Sequence, residues 1–389
     1  MMQKTKLIQL GKYYHPEPGG METHLYDHCC ELRDKFDIQV LVANTKPRTV
    51  TEMVDGVRVT RVANWGEVFS SPMCPTFPRH LSRINSSAGS IIQLHLPNPL
   101  AHFSYLLAKP PGRLVLVWHS DIIKQRWMSR FYNKHLYELL ARADCVVATS
   151  PNYAKYSPFL RRYADKTVVV PLGIRAERFE SSTQTRQQAQ WIRQEYGEPM
   201  VLFVGRLTYY KGLENLIQAA EKISGKIAII GNGPLKNQLE QTIRGRGLQG
   251  KVFLLQNVSN DDLVSFYHAC DVFVLPSNKR SEAFGVVQLE AMVSGKPVVS
   301  TNLNTGVPWV NQNGQTGLVV PVNHPEKLAQ AINYLLENHE KSRRFGRNAR
   351  QRVLENFTIE KVTGRMERVY DKILNGGLQK ERAAAVIYE

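Results

Sequence analysis

The chain has 389 residues, an apolar fraction of 43% and a formal charge of +16 at pH 7. That length predicts two domains rather than one core, the composition excludes a disordered chain, and no apolar run reaches the roughly 18 residues of a membrane span. The charge predicts an anionic partner, with nucleic acid, an acidic membrane surface and a phosphorylated substrate all open.

Along the chain, Met1–Leu10 has only a short apolar run and no small-residue cleavage site, so it reads as mature structure rather than a signal peptide. Five cysteines without C-x-x-C spacing predict a reduced, cytoplasmic setting. Short runs rich in Val and Ile follow: Leu7–Leu10, Ile38–Val42, Val57–Val62, Ile91–Leu94, Leu114–Trp118, Cys145–Ala148 and Val168–Val170. A second set comprises Met200–Val204, Ile227–Ile230, Val252–Leu255, Val272–Leu275, Val298–Ser300 and Leu318–Val320. Most are apolar on both faces, as buried parallel strands are. Amphipathic stretches such as Leu213–Ile223, Leu235–Ile243 and Pro325–Leu336 alternate with them. The polar, aperiodic Ser181–Gln190 reads as a linker or surface insertion. The pattern predicts an α/β chain of two Rossmann-like domains, 1–182 and 183–360, facing across a cleft, with ligands beyond the carboxyl ends of the strands. Residues 361–389 are expected to form a C-terminal helix that packs back on the first domain.

The candidate site residues sit after predicted strands. Gly19-Gly20 precede a helix expected to begin near Met21, where exposed N–H groups and the helix dipole suit a diphosphate. Gly205-Arg206 and Lys211-Gly212 share one loop, so a planar guanidinium and a mobile ammonium can converge on one anion. Gly231-Asn232-Gly233-Pro234 is a strand–turn–helix junction whose glycines permit close approach of a flat ring. In Ser281-Glu282-Ala283-Phe284-Gly285…Glu290, two carboxylates flank a predicted helix start. Glu282 is expected in the loop and Glu290 about two turns up, with the N–H groups of Phe284 and Gly285 turned to the ligand. His119 ends an apolar run, and Asp121 is expected to orient its ring or cap the next helix.

Taken with Pro171-Leu172-Gly173-Ile174, these marks resemble a family 4 retaining glycosyltransferase of the GT-B fold over nearly the whole chain. The resemblance implies that Arg206 and Lys211 hold the diphosphate, Glu290 the ribose, and Glu282 with the N–H groups of Ala283, Phe284 and Gly285 the transferred sugar, with His119 beside the reacting carbon. The loop Asn302–Pro308 departs from the family's usual Gly-Gly-x-x-Glu-like segment. The absence of Asp-x-Asp predicts metal independence and no cofactor. The expected donor is UDP-glucose first and GDP-mannose second, and the acceptor a glycan or lipid-linked sugar of surface-polysaccharide synthesis. The basic, aromatic stretch Lys124–Lys134, with Arg79 and Arg83, fits either an anionic membrane surface at the inner face or an ordinary packed helix. A nucleotide-sugar epimerase of the same fold is the nearer alternative. A nucleic-acid-binding protein is the remote one, since no recognition module accompanies the charge.

Overall fold

The computed structural model describes residues 4–69, 71–121 and 129–376. It divides into two compact units, residues 1–172 with 359–389 and residues 173–358. In the first unit the strands are β1 (Lys6–Leu10), β2 (Asp37–Ala43), β3 (Val50–Val54), β4 (Val57–Val62), β5 (Glu67–Val68), β6 (Ser71–Pro72), β7 (Ile91–Leu96), β8 (Arg113–Trp118), β9 (Cys145–Ala148) and β10 (Thr167–Val169). Eight of these form one sheet in the order β10-β9-β8-β7-β1-β2-β4-β3, parallel except for the β3–β4 edge pair, while β5 and β6 form a separate hairpin. The second unit holds β11 (Met200–Val204), β12 (Lys226–Ile230), β13 (Val252–Leu255), β14 (Val272–Leu275), β15 (Val298–Thr301) and β16 (Gly317–Val320). They form a parallel sheet ordered β13-β12-β11-β14-β15-β16.

The strands are apolar on both faces because helices cover both. Every residue of β7, β9, β11, β14 and β15 is buried. Strand order reverses between β1 and β7 in one sheet and between β11 and β14 in the other. Such reversals open a crevice beyond the carboxyl ends of the strands, and the loops after β1, β8, β11 and β14 carry most of the candidate site residues.

The first unit is discontinuous in sequence. Its sheet is covered in part by the helix Ile359–Leu374, whose Val362, Met366, Val369, Tyr370 and Ile373 join Leu7, Val40, Val115 and Val147 in one core. Spacings of three and four residues put these side chains on one stripe.

Two sequence expectations need correction. The units divide at 172/173 and 358/359, not at 182/183 and 360/361. Residues 181–190 are not a linker: Ser182 Oγ accepts the N–H of Thr185 at 3.0 Å and caps a helix, Thr183–Tyr196. A serine cap and good helix formers suffice there, and the apolar stripe is narrow, with Ala189 and Ile192 buried.

Candidate functional site

In the second unit, the loop that follows β11 is packed backbone to backbone against the loop that follows β12. Gly205 N–H donates to the Ile230 carbonyl at 3.0 Å and Leu207 N–H to the Asn232 carbonyl at 2.9 Å. A Cβ on Gly231 would lie 2.0 Å from the Gly205 carbonyl oxygen, and one on Gly233 would lie 2.3 Å from that of Leu207. These glycines are therefore required by loop–loop packing, whatever else approaches them.

Arg206 is exposed on this loop. Lys211 is not: its Nζ lies 2.6 Å from Glu282 Oε2, and the two side chains are only 8% and 9% exposed. Burial, the largest single influence on Lys211, opposes its charge, but Glu282, Tyr210 and Glu290 together outweigh it and the pKa is raised. Ser277 Oγ donates to the same Glu282 oxygen at 2.8 Å. The phosphate-clamp and sugar candidates are thus joined in one buried ion pair across two loops.

Glu282 lies in the loop before the helix Val286–Val293, as expected. Gly285, at φ 73°, takes the left-handed conformation that starts this helix, and a Cβ there would meet Leu275 at 2.6 Å. The N–H groups of Phe284, Gly285, Val286 and Val287 have no backbone acceptor among the described residues, which leaves donors for an anion at a positive helix end. The Phe284 side chain itself belongs to an aromatic cluster with Trp309 and Phe357. Ala283 is anchored by its carbonyl, which accepts from Gly306 N–H at 2.7 Å. The divergent loop Asn302–Pro308 is therefore tied to the Glu282 loop.

Glu290 is the fifth residue of the helix, one turn up rather than two. Its Oε2 accepts from Tyr267 Oη at 2.6 Å, and burial raises its pKa. Tyr267 and Ser277 are site residues that sequence reasoning missed: Tyr267 lies on the helix Asn260–Ala269 and Ser277 in the loop after β14, and neither is spaced from its carboxylate in a way that announces the pairing.

In the first unit, the helix begins at Gly20, with Gly19 as its N-cap. A Cβ on Gly19 would lie 2.1 Å from Glu22 Oε2. The carboxylate of Glu22, in the first turn, therefore sits against the Gly19 end of this helix, where the sequence suggested a diphosphate. It is buried, which raises its pKa. His119 follows β8, its N–H donating to the Leu96 carbonyl at 2.9 Å. The ring is buried, and desolvation lowers its pKa to about 3. Its Nε2 meets His95 Nδ1 at 2.9 Å, so the ring's partner is His95, not Asp121. The Asp121 carboxylate accepts instead from Trp118 Nε1 at 3.1 Å and Ser157 Oγ at 2.7 Å.

Of the stretch Lys124–Lys134, residues 124–128 lie outside the described residues; the helix Ser129–Arg142 follows. Among the described residues no helix is long and apolar enough to cross a membrane.

The family model "Glycosyl transferases group 1" matches residues 185–352, and "Glycosyltransferase Family 4" matches residues 18–178. The chain is 33% identical over 372 residues to O-antigen chain mannosyltransferase C of Escherichia coli, covering 95% of this chain and 99% of that one. It is 35% identical over 345 residues to D-rhamnosyltransferase WbpZ of Pseudomonas aeruginosa, covering 87% and 88%. Among solved structures, sucrose-phosphate synthase from Thermosynechococcus elongatus superposes with a TM-score of 0.81 at 22% identity, covering 96% and 100%. Anabaena HepE, solved with UDP-glucose, superposes at 0.76 and 20%, covering 94% and 99%. The two structures establish the fold, and the two relatives establish the family: the chain belongs to the family 4 glycosyltransferases, built on the GT-B fold.

Proposed function

We propose that the chain transfers a hexose, with retention at the anomeric carbon and without a metal ion, from a nucleoside-diphosphate sugar to a glycan or lipid-linked acceptor of a surface polysaccharide. The observation that carries this reading is the buried Lys211–Glu282 pair beside the exposed Arg206, on loops that follow β11 and β14. An ammonium has three N–H groups, so Lys211 can keep Glu282 and still donate to a diphosphate. Arg206 adds a planar fork, and the helix end at Gly285 adds backbone donors.

In the transfer, the bond from C1 to the β-phosphate oxygen breaks and its electron pair stays on that oxygen. Fixed positive groups there stabilise the growing charge. The acceptor oxygen bonds C1 from the same face, and its proton passes to the departing phosphate. Glu282 accepts hydroxyls of the moving sugar, Glu290 those of the ribose, and His119 contacts the sugar beside C1.

Mannose and D-rhamnose, the sugars named for the two relatives, share an axial C2 hydroxyl. A manno-configured sugar is therefore favoured, and GDP-mannose moves ahead of UDP-glucose. In excess EDTA, GDP-mannose at a hundred times its dissociation constant should stabilise the protein by about 2.7 kcal/mol and release GDP only when acceptor is present. Stabilisation by UDP-glucose alone would return the donor to glucose, and activity restored only by magnesium would refute metal independence.

The two carboxylates should divide their work. Glu290→Gln is expected to weaken binding of free nucleoside diphosphate about tenfold, because ribose is held alike in ground and transition states. Glu282→Gln should spare that binding and lower turnover. Equal losses of diphosphate affinity, read by calorimetry, would show the roles to be misassigned.

A further inference from the structure

Buried polar side chains interrupt the apolar strands of the first unit along one line. The register pairs Gln9 of β1 with Gln93 of β7, and His95 follows two residues on, on the same face. All three are buried, as are His28, His119 and Tyr370. Tyr370 Oη, on the C-terminal helix Ile359–Leu374, donates to Gln93 Oε1 at 2.5 Å and lies 3.1 Å from His28 Nε2. Gln93 Nε2 lies 3.2 Å from His95 Nε2, and His95 Nδ1 lies 2.9 Å from His119 Nε2. The His95 and His119 rings are nearly parallel, 18° apart with centroids at 5.2 Å. His119 Nδ1 has no partner among the described residues.

From this chain of contacts we infer that His95 is a positioning residue, which holds His119 in the tautomer protonated at Nδ1 and so leaves that N–H free to donate to the sugar. The inference rests on the proposed role of His119. Its direction follows from the amides. A turned Gln93 could donate to Tyr370 Oη only with the phenol proton given to His28 Nε2; with that proton on Gln93 Oε1, the Gln93 NH₂ faces His95 Nε2 and that nitrogen accepts. The His95 proton then sits on Nδ1 and points at His119 Nε2, which accepts in turn. Gln9 Oε1, 3.1 Å from His95 Nε2, would favour the opposite tautomer. The Gln9 amide nitrogen makes no hydrogen bond of good geometry where it stands, although it faces the Tyr370 oxygen, and turning that amide brings a second donor to His95. Burial lowers the pKa of both imidazoles, so the chain is neutral at pH 7 and the tautomers, not charges, carry the information. A group on the C-terminal helix thereby sets which nitrogen of His119 is presented.

Long-range proton–nitrogen NMR of the ligand-free, full-length protein reads the tautomer directly. The wild type should show His119 protonated at Nδ1, and a proton on Nε2 would overturn the inference. In His95→Leu and Tyr370→Phe the Nε2–H form should rise. His95→Leu should lower kcat at least about tenfold, since an imidazole left in the wrong tautomer can lose far more than that, with KM for the donor little changed. His95→Asn, whose amide can donate from near the Nδ1 position, should recover most of that loss. If His95→Leu stays folded and turns over like the wild type, His95 does not act through His119. If His95→Leu does not fold, the wild-type tautomer and its shift in Tyr370→Phe still decide. The underlying reading fails differently: His119→Ala with wild-type turnover would remove His119 from the chemistry while leaving the tautomer result intact.

Discussion

Lys211→Ala should cost stability as well as turnover, lowering the unfolding free energy by about 3–5 kcal/mol because it strands a buried carboxylate. Glu282 then keeps the hydrogen bond from Ser277 Oγ but has little access to water. Arg206→Ala, at an exposed position, should stay within about 0.5 kcal/mol of the wild type while losing transfer activity to a similar degree. Urea unfolding with an unchanged slope is the measurement. The double variant Lys211→Met, Glu282→Leu should regain most of the lost stability and none of the activity, since an apolar pair of similar volume replaces the ions. The pH dependence has a definite sign. The folded-state pKa of Lys211 is raised above the ordinary 10.5, so the pair's contribution is fully present below that value and is lost only as pH rises through the raised one. Between pH 6 and 9 the penalty should be flat. A Lys211→Ala protein as stable as the wild type would mean that the pair is not buried in solution.

The second large effect is acid lability of the first unit. Desolvation lowers His24 to about 4, His28 and His119 to about 3, and His95 well below the ordinary 6.5. The folded chain keeps these rings neutral while the unfolded chain protonates them near 6.5. Stability is therefore complete above that pH and falls as pH drops towards the folded values. Each ring costs about 1.4 kcal/mol per pH unit in that window. At pH 5.5 four rings together cost on the order of 5 kcal/mol, a large share of a domain's total. Glu22, whose pKa burial raises, works in the opposite direction and offsets only part of this. Melting at pH 7.5, 6.5 and 5.5, with hydrogen exchange to locate the loss, tests it. A flat profile, or loss confined to residues 173–358, would contradict the burial of these imidazoles.

The periodicity of the chain made the central strands legible, because Val and Ile runs such as Met200–Val204 and Cys145–Ala148 are buried on both faces. It did not reveal β3, an antiparallel edge strand whose middle residues Thr51, Glu52 and Met53 are exposed. Burial leaves no pattern on such an edge. Loop chemistry identified Lys211 and Glu282 separately, but their pairing depends on β11 lying beside β14, a fact of topology rather than of spacing. His119 was visible at a strand end; its partner was not. The signal lay in Gln9, Gln93 and His95, polar residues inside apolar strands, which a buried interior tolerates only when they find one another.

The discontinuity of the first unit also orders its assembly in time. Residues 173–358 are continuous and have all their strands once synthesis reaches β16. The first unit cannot close until Val362, Met366 and Tyr370 have left the ribosome, more than 180 residues after β10. Until then the core that Leu7, Val40 and Val115 share with Leu25, Cys29 and Leu32 lacks the part supplied by Val362, Met366 and Tyr370, and the hydrogen-bonded line ending at His119 lacks its far terminus. The nascent chain thus carries a finished second unit ahead of an unfinished first one, and the helix Ile359–Leu374 completes the first unit's core and the line of contacts that leads to His119.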